Sequence, residues 1–167
     1  SFGQVRWEAF QSVAGKFEVL VPRGEMQERK SKRSTAIGEQ EYVQYIHRVR
    51  ADSVGKKIEN YYYIVSYIDY PEGSFHPDST DLINEFFNTT IEASVASVYG
   101  KLAYSGDIQL FTHKGKIWRV TYNLDKAICK SKCFLVGNRF YLIQTFTTQE
   151  RALNNAADKF LNSFKVY

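Results

Sequence analysis

The sequence predicts an α+β fold in which a mainly antiparallel sheet of about six or seven strands is sandwiched with two main helices. Three observations support this prediction. Phenylalanine and tyrosine are abundant, with twelve of each among 167 residues, and these side chains favour half-buried strands. Short turns join most of the strand-like runs, which gives hairpins and therefore antiparallel pairing. Two segments have helical periodicity, and the order along the chain is strands, helix, strands, helix.

The first third of the chain predicts two amphipathic strands separated by a polar one. Residues 16–21 alternate apolar and polar side chains and stop at Pro22. Residues 23–35 are polar and charged, which is typical of a solvent-facing strand or hairpin arm. Residues 41–50 alternate again, and residues 53–56 have the composition of a turn.

A central strand and a helix are predicted next. Residues 60–70 are almost entirely Tyr, Ile and Val, so both faces are apolar, as in a covered strand that ends at Pro71. A helix then begins near Asp78 or Ser79, either of which can cap the first turn, and ends at Gly100. Its apolar residues recur at helical spacing: Leu82, Ile83, Phe86, Phe87, Ile91, Val95 and Val98.

The last third predicts four more strands and a second helix. The strands cover residues 107–113, 117–124, 126–136 and 139–147, with turns at residues 113–116 and at Gly137-Asn138. A capping box formed by Thr147 and Glu150 is predicted to open the final helix. The apolar stripe of that helix is Leu153, Ala156, Ala157, Phe160, Leu161 and Phe164.

Length and composition restrict the class of protein. A chain of 167 residues without repeats or linkers predicts a single domain over residues 1–167. No apolar run reaches the roughly 18 residues that a membrane span needs. Two cysteines are too few for a disulfide-dense scaffold or a four-cysteine zinc site. The first residues lack a signal-peptide pattern, which fits either a mature exported protein whose leader has been removed or a cytoplasmic protein.

The net charge of +4 is unevenly distributed along the chain. Residues 61–100 contain six Asp/Glu and no Lys or Arg, whereas residues 101–167 contain eleven Lys/Arg and four Asp/Glu, a net charge of +7. Packed into one domain, such segments can form a charged face of each sign that orients docking on a charged partner. The alternative is that the acidic segment is only a solvated helix surface.

Four short motifs occur in an informative order after Trp7. They are FEVLVP at 17–22, YIDYP at 67–71, GNRFY at 137–141 and FLNSF at 160–164. Together they resemble a group of uncharacterised bacterial envelope proteins, a group similar in fold to the PsbP-like extrinsic proteins of photosystem II and to the Ran-binding nuclear import accessory proteins. The resemblance spans about residues 7–166.

This resemblance implies an α/β/α sandwich around an antiparallel sheet. It implies no shared catalytic residues, no cofactor and no metal site, because no position here matches one. Known relatives mostly bind or help to assemble larger protein complexes, so it implies an accessory subunit of the cell envelope or periplasm, with a cytoplasmic location as the alternative.

The sequence contains little that indicates catalysis. The three histidines, His47, His76 and His113, share no metal-binding spacing, and nucleophile-elbow and phosphate-loop motifs are missing. His47 is predicted to be a hydrogen-bonded sheet residue, and the other two histidines to be exposed. Asp69 is either a catalytic acid or, as we favour, the residue that initiates the turn before Pro71.

Cys129 and Cys133 allow three interpretations. On a regular strand their Cα atoms lie about 13 Å apart, too far for a disulfide, and both are then small core residues. A bulge or turn at residues 130–132 would instead bring them together. A thiolate site activated by the two lysines between them, serving as a redox or metal sensor, is the third interpretation.

Seven cations of the last third are the candidate partner-binding residues. If they cluster, they form a basic patch for an acidic protein face, anionic lipid or nucleic acid; the alternative is an ordinary solvated strand surface. Stacking aromatics are not evident beside them, so nucleic acid is not predicted. The seven are Lys114, Lys116, Arg119, Lys126, Lys130, Lys132 and Arg139.

These observations favour a non-catalytic accessory or assembly subunit that docks on a larger, membrane-associated protein complex through charged patches. The competing hypothesis is an enzyme or small-ligand-binding protein whose pocket is built on the sheet, with His47, Asp69 or a cysteine pointing into it.

Overall fold

The computed structural model describes residues 6–35, 37–49, 60–151 and 155–167. Within them the chain forms ten strands, two α-helices and a short 3-10 turn at Gln149–Arg151. In chain order the strands and helices are β1 (Trp7–Ser12), β2 (Phe17–Pro22), β3 (Gln27–Thr35), β4 (Gly38–Arg48), β5 (Tyr62–Asp69), α1 (Thr80–Ser97), β6 (Lys101–Leu110), β7 (His113–Tyr122), β8 (Ala127–Val136), β9 (Arg139–Thr148), α2 (Asn155–Ser163) and β10 (Lys165–Val166).

The strands form two antiparallel sheets. The large sheet has seven strands in the order β3-β4-β5-β9-β8-β7-β6, and the small sheet has the order β1-β2-β10. The predicted α+β fold, with a mainly antiparallel sheet and two main helices, is therefore confirmed. β5 lies between β4 and β9, as predicted for a central strand. The sequence pattern does not predict β1 or β10, and β10 has only two residues, too few to show a period.

One side of the large sheet is covered by the small sheet together with α2, and is called the α2 side below. Because side chains alternate across a sheet, every second residue of β4, β5, β8 and β9 points into this layer. Phe17 of β2 contacts the ring of Tyr141, and Phe160 of α2 contacts the ring of Tyr63. These four residues belong to one buried apolar cluster, the main core of the fold.

The opposite side, called the α1 side, carries helix α1. Its buried residues Phe87 and Ile91 pack with Trp118 of β7 and Phe140 of β9. The indole Nε1 of Trp118 donates a hydrogen bond to the Ser94 hydroxyl at 3.1 Å. Helix α1 therefore covers β7, β8 and the start of β9, whereas neither of the described helices covers β3 and β4 on this side.

The predicted turn at residues 113–116 is wrong. These residues belong to β7, and the hairpin turns at Phe111 and Thr112 instead. A Cβ placed on Gly115 would lie only 2.1 Å from the Cys133 carbonyl oxygen. This glycine allows β7 and β8 to approach closely. The glycine that suggested a turn in the sequence is therefore required for strand packing.

The predicted capping box is also wrong. Thr147 lies in β9 and pairs with Ile128 of β8, because threonine is as well suited to a strand as to a helix cap. Helix α1 begins at Thr80 with Ser79 in the N-cap position, as predicted, but the Ser79 side chain makes no capping hydrogen bond. Arg50, the predicted turn at residues 53–56 and Leu153 lie outside the described residues.

Candidate partner-binding surface

The seven cations predicted to bind a partner do not lie on one surface. In the strand register, Lys114 and Lys116 lie on the α1 side of β7, whereas Arg119, Lys130 and Lys132 lie on the α2 side. Lys126 lies in the turn between β7 and β8, and Arg139 lies at the other end of the sheet, at the start of β9. The structure thus brings three of the seven together, and partner binding by any of them stays a prediction.

Several of these cations are held by neighbouring elements. Lys116 Nζ lies 2.5 Å from an Asp107 carboxylate oxygen. Lys130 Nζ lies 3.1 Å from the Asp158 carboxylate, and Lys132 Nζ donates to the Asn162 side-chain oxygen at 2.6 Å. Burial lowers the pKa of Lys132. These contacts from β8 to Asp158 and Asn162 attach helix α2 to the sheet. Lys130 and Lys132 therefore stabilise the fold.

Arg139 is also engaged within the protein. Its guanidinium binds both carboxylate oxygens of Asp69, at 2.5 and 2.8 Å, and donates to the Ala14 carbonyl at 2.9 Å. The same group lies 4.4 Å from the centroid of the Tyr67 ring. The hydrogen bonds to Asp69 raise the pKa of Arg139. Arg139 therefore links β9 to β5 and to the β1–β2 turn, and Asp69 is its carboxylate partner.

A cleft of about 650 Å³ opens beside this ion pair. Its lining includes Lys16, Asp69, Phe111, His113 and Arg139. Asp69, the carboxylate in that lining, is held by Arg139, and half-buried His113 is less exposed than predicted. The cleft is large enough for a small molecule, but its described lining residues do not bring a free carboxylate and a free base together.

The other candidate catalytic groups lie elsewhere. His47 is buried, and its Nδ1 lies 3.1 Å from the Glu25 carbonyl oxygen, which confirms the predicted hydrogen-bonded sheet residue. His76 is exposed, as predicted. Within the described residues, no group of three or more His, Cys, Asp and Glu side chains is arranged to hold a metal ion.

The two cysteines are free and buried, as predicted for small core residues on a regular strand. Burial raises the pKa of Cys129 to about 11 and the pKa of Cys133 to about 12. The disulfide interpretation is wrong, and the shift is opposite to that of an activated thiolate. Cys133 packs beneath α1, whereas Cys129 lies 3.5 Å from the Ser131 hydroxyl and accepts a long contact from Gln144.

A surface missed in the sequence lies on the α1 side, where the helix does not reach. We call it the open face. Strand register places its residues together, because β3, β4, β5 and β9 present alternate side chains to the same side. The open face comprises Arg29, Arg33, Gln44, Ile46, Arg48, Tyr62, Ile64, Gln144 and Phe146.

The centre of the open face is apolar and only half-buried. Ile46 and Ile64 lie directly opposite each other on β4 and β5, and both keep intermediate exposure. Next to them the rings of Tyr62 and Phe146 meet edge to face at 6.2 Å. The Arg48 guanidinium lies 5.9 Å from the centre of the Tyr62 ring.

A polar network supports the other part of the open face. The Tyr42 hydroxyl donates to the Ser66 hydroxyl at 3.1 Å and accepts from the Gln44 amide at 3.0 Å. The Arg33 guanidinium lies 3.8 Å above the Tyr42 ring. These bonds satisfy the buried hydroxyls and fix Arg33 and Gln44 at the surface.

The charge on the open face has one sign. In the described parts of β3, β4, β5 and β9, the charged residues on this side of the sheet are Arg29, Arg33 and Arg48. The acidic residues of β3 and β4 point to the other side, where Glu28 and Glu39 lie near Lys30 and Lys32. The open face is therefore a basic surface around an apolar centre.

The acidic segment of the sequence occupies a different place. Asp81, Glu85 and Glu92 are exposed on helix α1, and residues 61–100 contain no Lys or Arg. The molecule therefore has an acidic helix surface and a basic sheet face. The sequence predicts the acidic part, but it assigns the basic part to residues 114–139 rather than to β3 and β4. The charged strand at residues 23–35 is the feature of the sequence that could have indicated this basic surface.

Among the described residues, neither helix combines the length and the apolar character required to cross a bilayer. No protein-family model matches the sequence, and no curated protein matches it either.

Solved structures do match. The chain is similar to cyanobacterial PsbP (CyanoP) from Synechocystis sp. PCC 6803, at 15% identity and a TM-score of 0.60, over 99% of this chain and 95% of that one. It is also similar to the Saccharomyces cerevisiae Ran-binding protein Mog1p, at 8% identity and a TM-score of 0.54, over 98% and 96% of the two chains. At these identities the likeness concerns the fold, and it confirms the predicted resemblance: the chain has a fold similar to those of PsbP-like and Ran-binding proteins.

Proposed function

We propose that the protein is a non-catalytic accessory or assembly subunit that docks on a larger, membrane-associated protein complex of the cell envelope. The observation that carries this proposal is the separation of charge between an acidic helix α1 and the basic open face. Opposite charges on separate surfaces orient a protein during encounter with a charged partner and suppress wrong orientations.

The fold gives coarser support. One structural neighbour is named for binding Ran, and the other belongs to the PsbP proteins. The layout of the core agrees with a binding role, because α2 and the small sheet fill the α2 side with Phe17, Phe160 and Phe164. Function is then carried by the exterior, including the exposed cations Lys114 and Lys126.

Gentle extraction of the native complex tests this proposal. The tagged chain is expressed in its own organism, membranes are solubilised in a mild detergent, and bound proteins are recovered at low and at high salt. We expect the chain to co-purify with one large assembly at low salt and to be released at about 1 M salt, where the Debye length is about 3 Å. A chain recovered alone under both conditions would contradict the proposal.

A second candidate function rests on the cleft beside Asp69 and Arg139. Its volume of about 650 Å³ lies within the range of small-ligand sites. A small anion in the cleft would interact with Lys16 and His113, which line it. A thermal-shift screen of anionic metabolites distinguishes the two functions, because a ligand that stabilises wild type but not Lys16→Ala would favour the cleft.

A further inference from the structure

We propose that the open face binds an acidic, extended segment of a protein partner, whose apolar side chains rest on Ile46 and Ile64. This inference rests on the proposed function, because it names the surface and the chemistry of the docking step. Within the described residues, the packing of this chain leaves Ile46 and Ile64 half-buried and leaves Arg29, Arg33 and Arg48 exposed.

Charge complementarity identifies the chemistry of the occupant. Arg29, Arg33 and Arg48 surround the apolar centre, and no carboxylate of β3, β4, β5 or β9 shares this side within the described residues. Arg29 and Arg33 are four residues apart on one strand, which corresponds to about 13 Å. An extended partner segment with carboxylates at a similar spacing matches both guanidinium groups, which can bind carboxylates in bidentate fashion.

Burial gives the second argument. Ile46, Ile64 and Phe146 have intermediate exposure in the isolated chain, and covering their remaining apolar surface stabilises a complex. A few desolvated aromatic and aliphatic side chains surrounded by a polar rim resemble the anatomy of a protein interface. The side-chain oxygens of Gln44 and Gln144 can accept hydrogen bonds from the backbone N–H groups of an extended segment, while their amide nitrogens donate to Tyr42 and Ser131.

The arrangement of the rings favours protein over single-stranded nucleic acid. Nucleic-acid sites stack successive bases on flat, accessible aromatic faces. Here Tyr62 and Phe146 stand at 87° to each other, so the two cannot present parallel faces. Arg33 already occupies the face of Tyr42, and the centre of the surface is aliphatic.

The strand β3 offers a matched pair of variants for the test. Arg29→Glu with Arg33→Glu inverts two charges on the open face, whereas Lys30→Glu with Lys32→Glu makes the same change of net charge on the opposite side of the same strand. All four side chains are exposed, so both variants should keep the wild-type circular dichroism spectrum. Their melting temperatures should fall by no more than a few degrees, because each variant loses only surface contacts such as that of Arg33 with Tyr42. That measurement precedes the binding experiments.

Recovery of the native complex then separates the two proposals. We expect the arginine variant to recover at least about tenfold less of the assembly than wild type, equivalent to about 1.4 kcal/mol, and the lysine variant to stay within about twofold. If wild type recovers no assembly, the proposed function fails. If wild type and the arginine variant recover it equally, the proposed function stands and the open face is not the docking surface.

Photo-crosslinking identifies the occupant. A benzophenone side chain in place of Ile64 should crosslink to a partner peptide with an excess of Asp and Glu, while the same group in place of exposed Leu82 on α1 should not. A crosslinked peptide without acidic excess, or a crosslink to a second copy of this chain, would overturn the assignment. Tighter binding of purified protein to oligo(dT) or to vesicles containing phosphatidylglycerol than to that acidic peptide would overturn it too.

Discussion

The α1 side of the large sheet has two halves that follow the same alternation and end in opposite environments. Beneath helix α1 the side chains of β7 and β9 are apolar and buried, as Trp118 and Phe140 show. Across β3 and β4 the same side carries Arg33, Gln44 and Ile46. A helix covers only the half whose side chains can lose their water without leaving charges unpaired. The other half stays exposed because its own side chains include polar and charged groups that a helix would leave without water.

The two edges of the sheet repeat this contrast. β3 carries five charged residues in its nine positions, whereas β6 carries two in ten, Lys101 and Asp107. Charges on an edge strand discourage pairing with another strand. Addition of a partner strand along β3 is therefore disfavoured. A partner that binds Arg29 and Arg33 should instead lie on the open face of the sheet.

The largest effect on stability should come from the half that helix α1 covers. Phe87→Ala removes a fully buried ring under α1, and we expect a loss of about 3–5 kcal/mol in the free energy of unfolding, because the cavity cannot collapse completely. Phe146→Ala, the matched change on the half-buried open face, should cost only about 1–2 kcal/mol. Urea unfolding followed by circular dichroism measures both, and equal losses would remove the distinction between the halves.

Alkaline pH should lower the stability of the protein through its two buried thiols, which lie in different parts of the α1 side. Burial raises the pKa of Cys133, under α1, to about 12, and that of Cys129, whose neighbour on β9 is Phe146 of the open face, to about 11. The unfolded chain releases these protons near their ordinary pKa of 9.0, while the folded chain retains them. Above about pH 9 the unfolded state therefore binds fewer protons than the native state, and stability falls as pH rises.

Substitution of each cysteine separates the two contributions. Cys133→Ala and Cys129→Ala should each flatten the fall in unfolding free energy between pH 9 and 11, measured by urea titration at each pH. Burial and neighbouring Tyr45 also raise the pKa of Tyr67 to about 12, so part of the fall should persist in both variants. A profile that is equally steep in all three proteins would contradict the assignment to the thiols.

The layers of the fold could be predicted because each element carries its own periodicity. Residues 60–70 are apolar on both faces, and the structure buries both faces of β5 from Val65 to Ile68, whereas Tyr62 and Ile64 stay half-buried on the open face. The turn at residues 113–116 could not be predicted correctly, because Gly115 serves strand packing against Cys133 rather than a bend. Local sequence does not show which backbone will lie opposite a glycine.

The candidate site was harder to predict than the fold, because it is built from strands distant in sequence. Arg33, Arg48 and Tyr62 meet through the pairing of three strands, and no local spacing encodes that pairing. The basic residues 114–139 were conspicuous in sequence, yet Lys130 and Arg139 bind Asp158 and Asp69. Charge density along a chain therefore indicates a surface poorly when carboxylates from other elements can neutralise it.

Thiol labelling should distinguish the halves by their local opening. With Cys133→Ala as background, we expect the reagent to reach Cys129 from the open face, because this buried thiol contacts the Gln144 amide and pairs with Phe146. With Cys129→Ala as background, Cys133 needs helix α1 to separate from β8. We therefore expect a disulfide-exchange reagent to label Cys129 several-fold faster than Cys133 under native conditions. Faster labelling of Cys133 would show that α1 opens more readily than the uncovered half.

The smallest effect should arise at the arginines of the open face. Arg33→Ala removes a cation–π contact of 3.8 Å with Tyr42, which at an exposed site contributes about 0.5–1 kcal/mol. Arg48→Ala, whose guanidinium lies 5.9 Å from the Tyr62 ring, should cost less. Unfolding titrations of the two variants measure this difference. A loss above about 2 kcal/mol would mean that these arginines hold the fold together, and their position around an apolar centre would then be a consequence of folding rather than of docking.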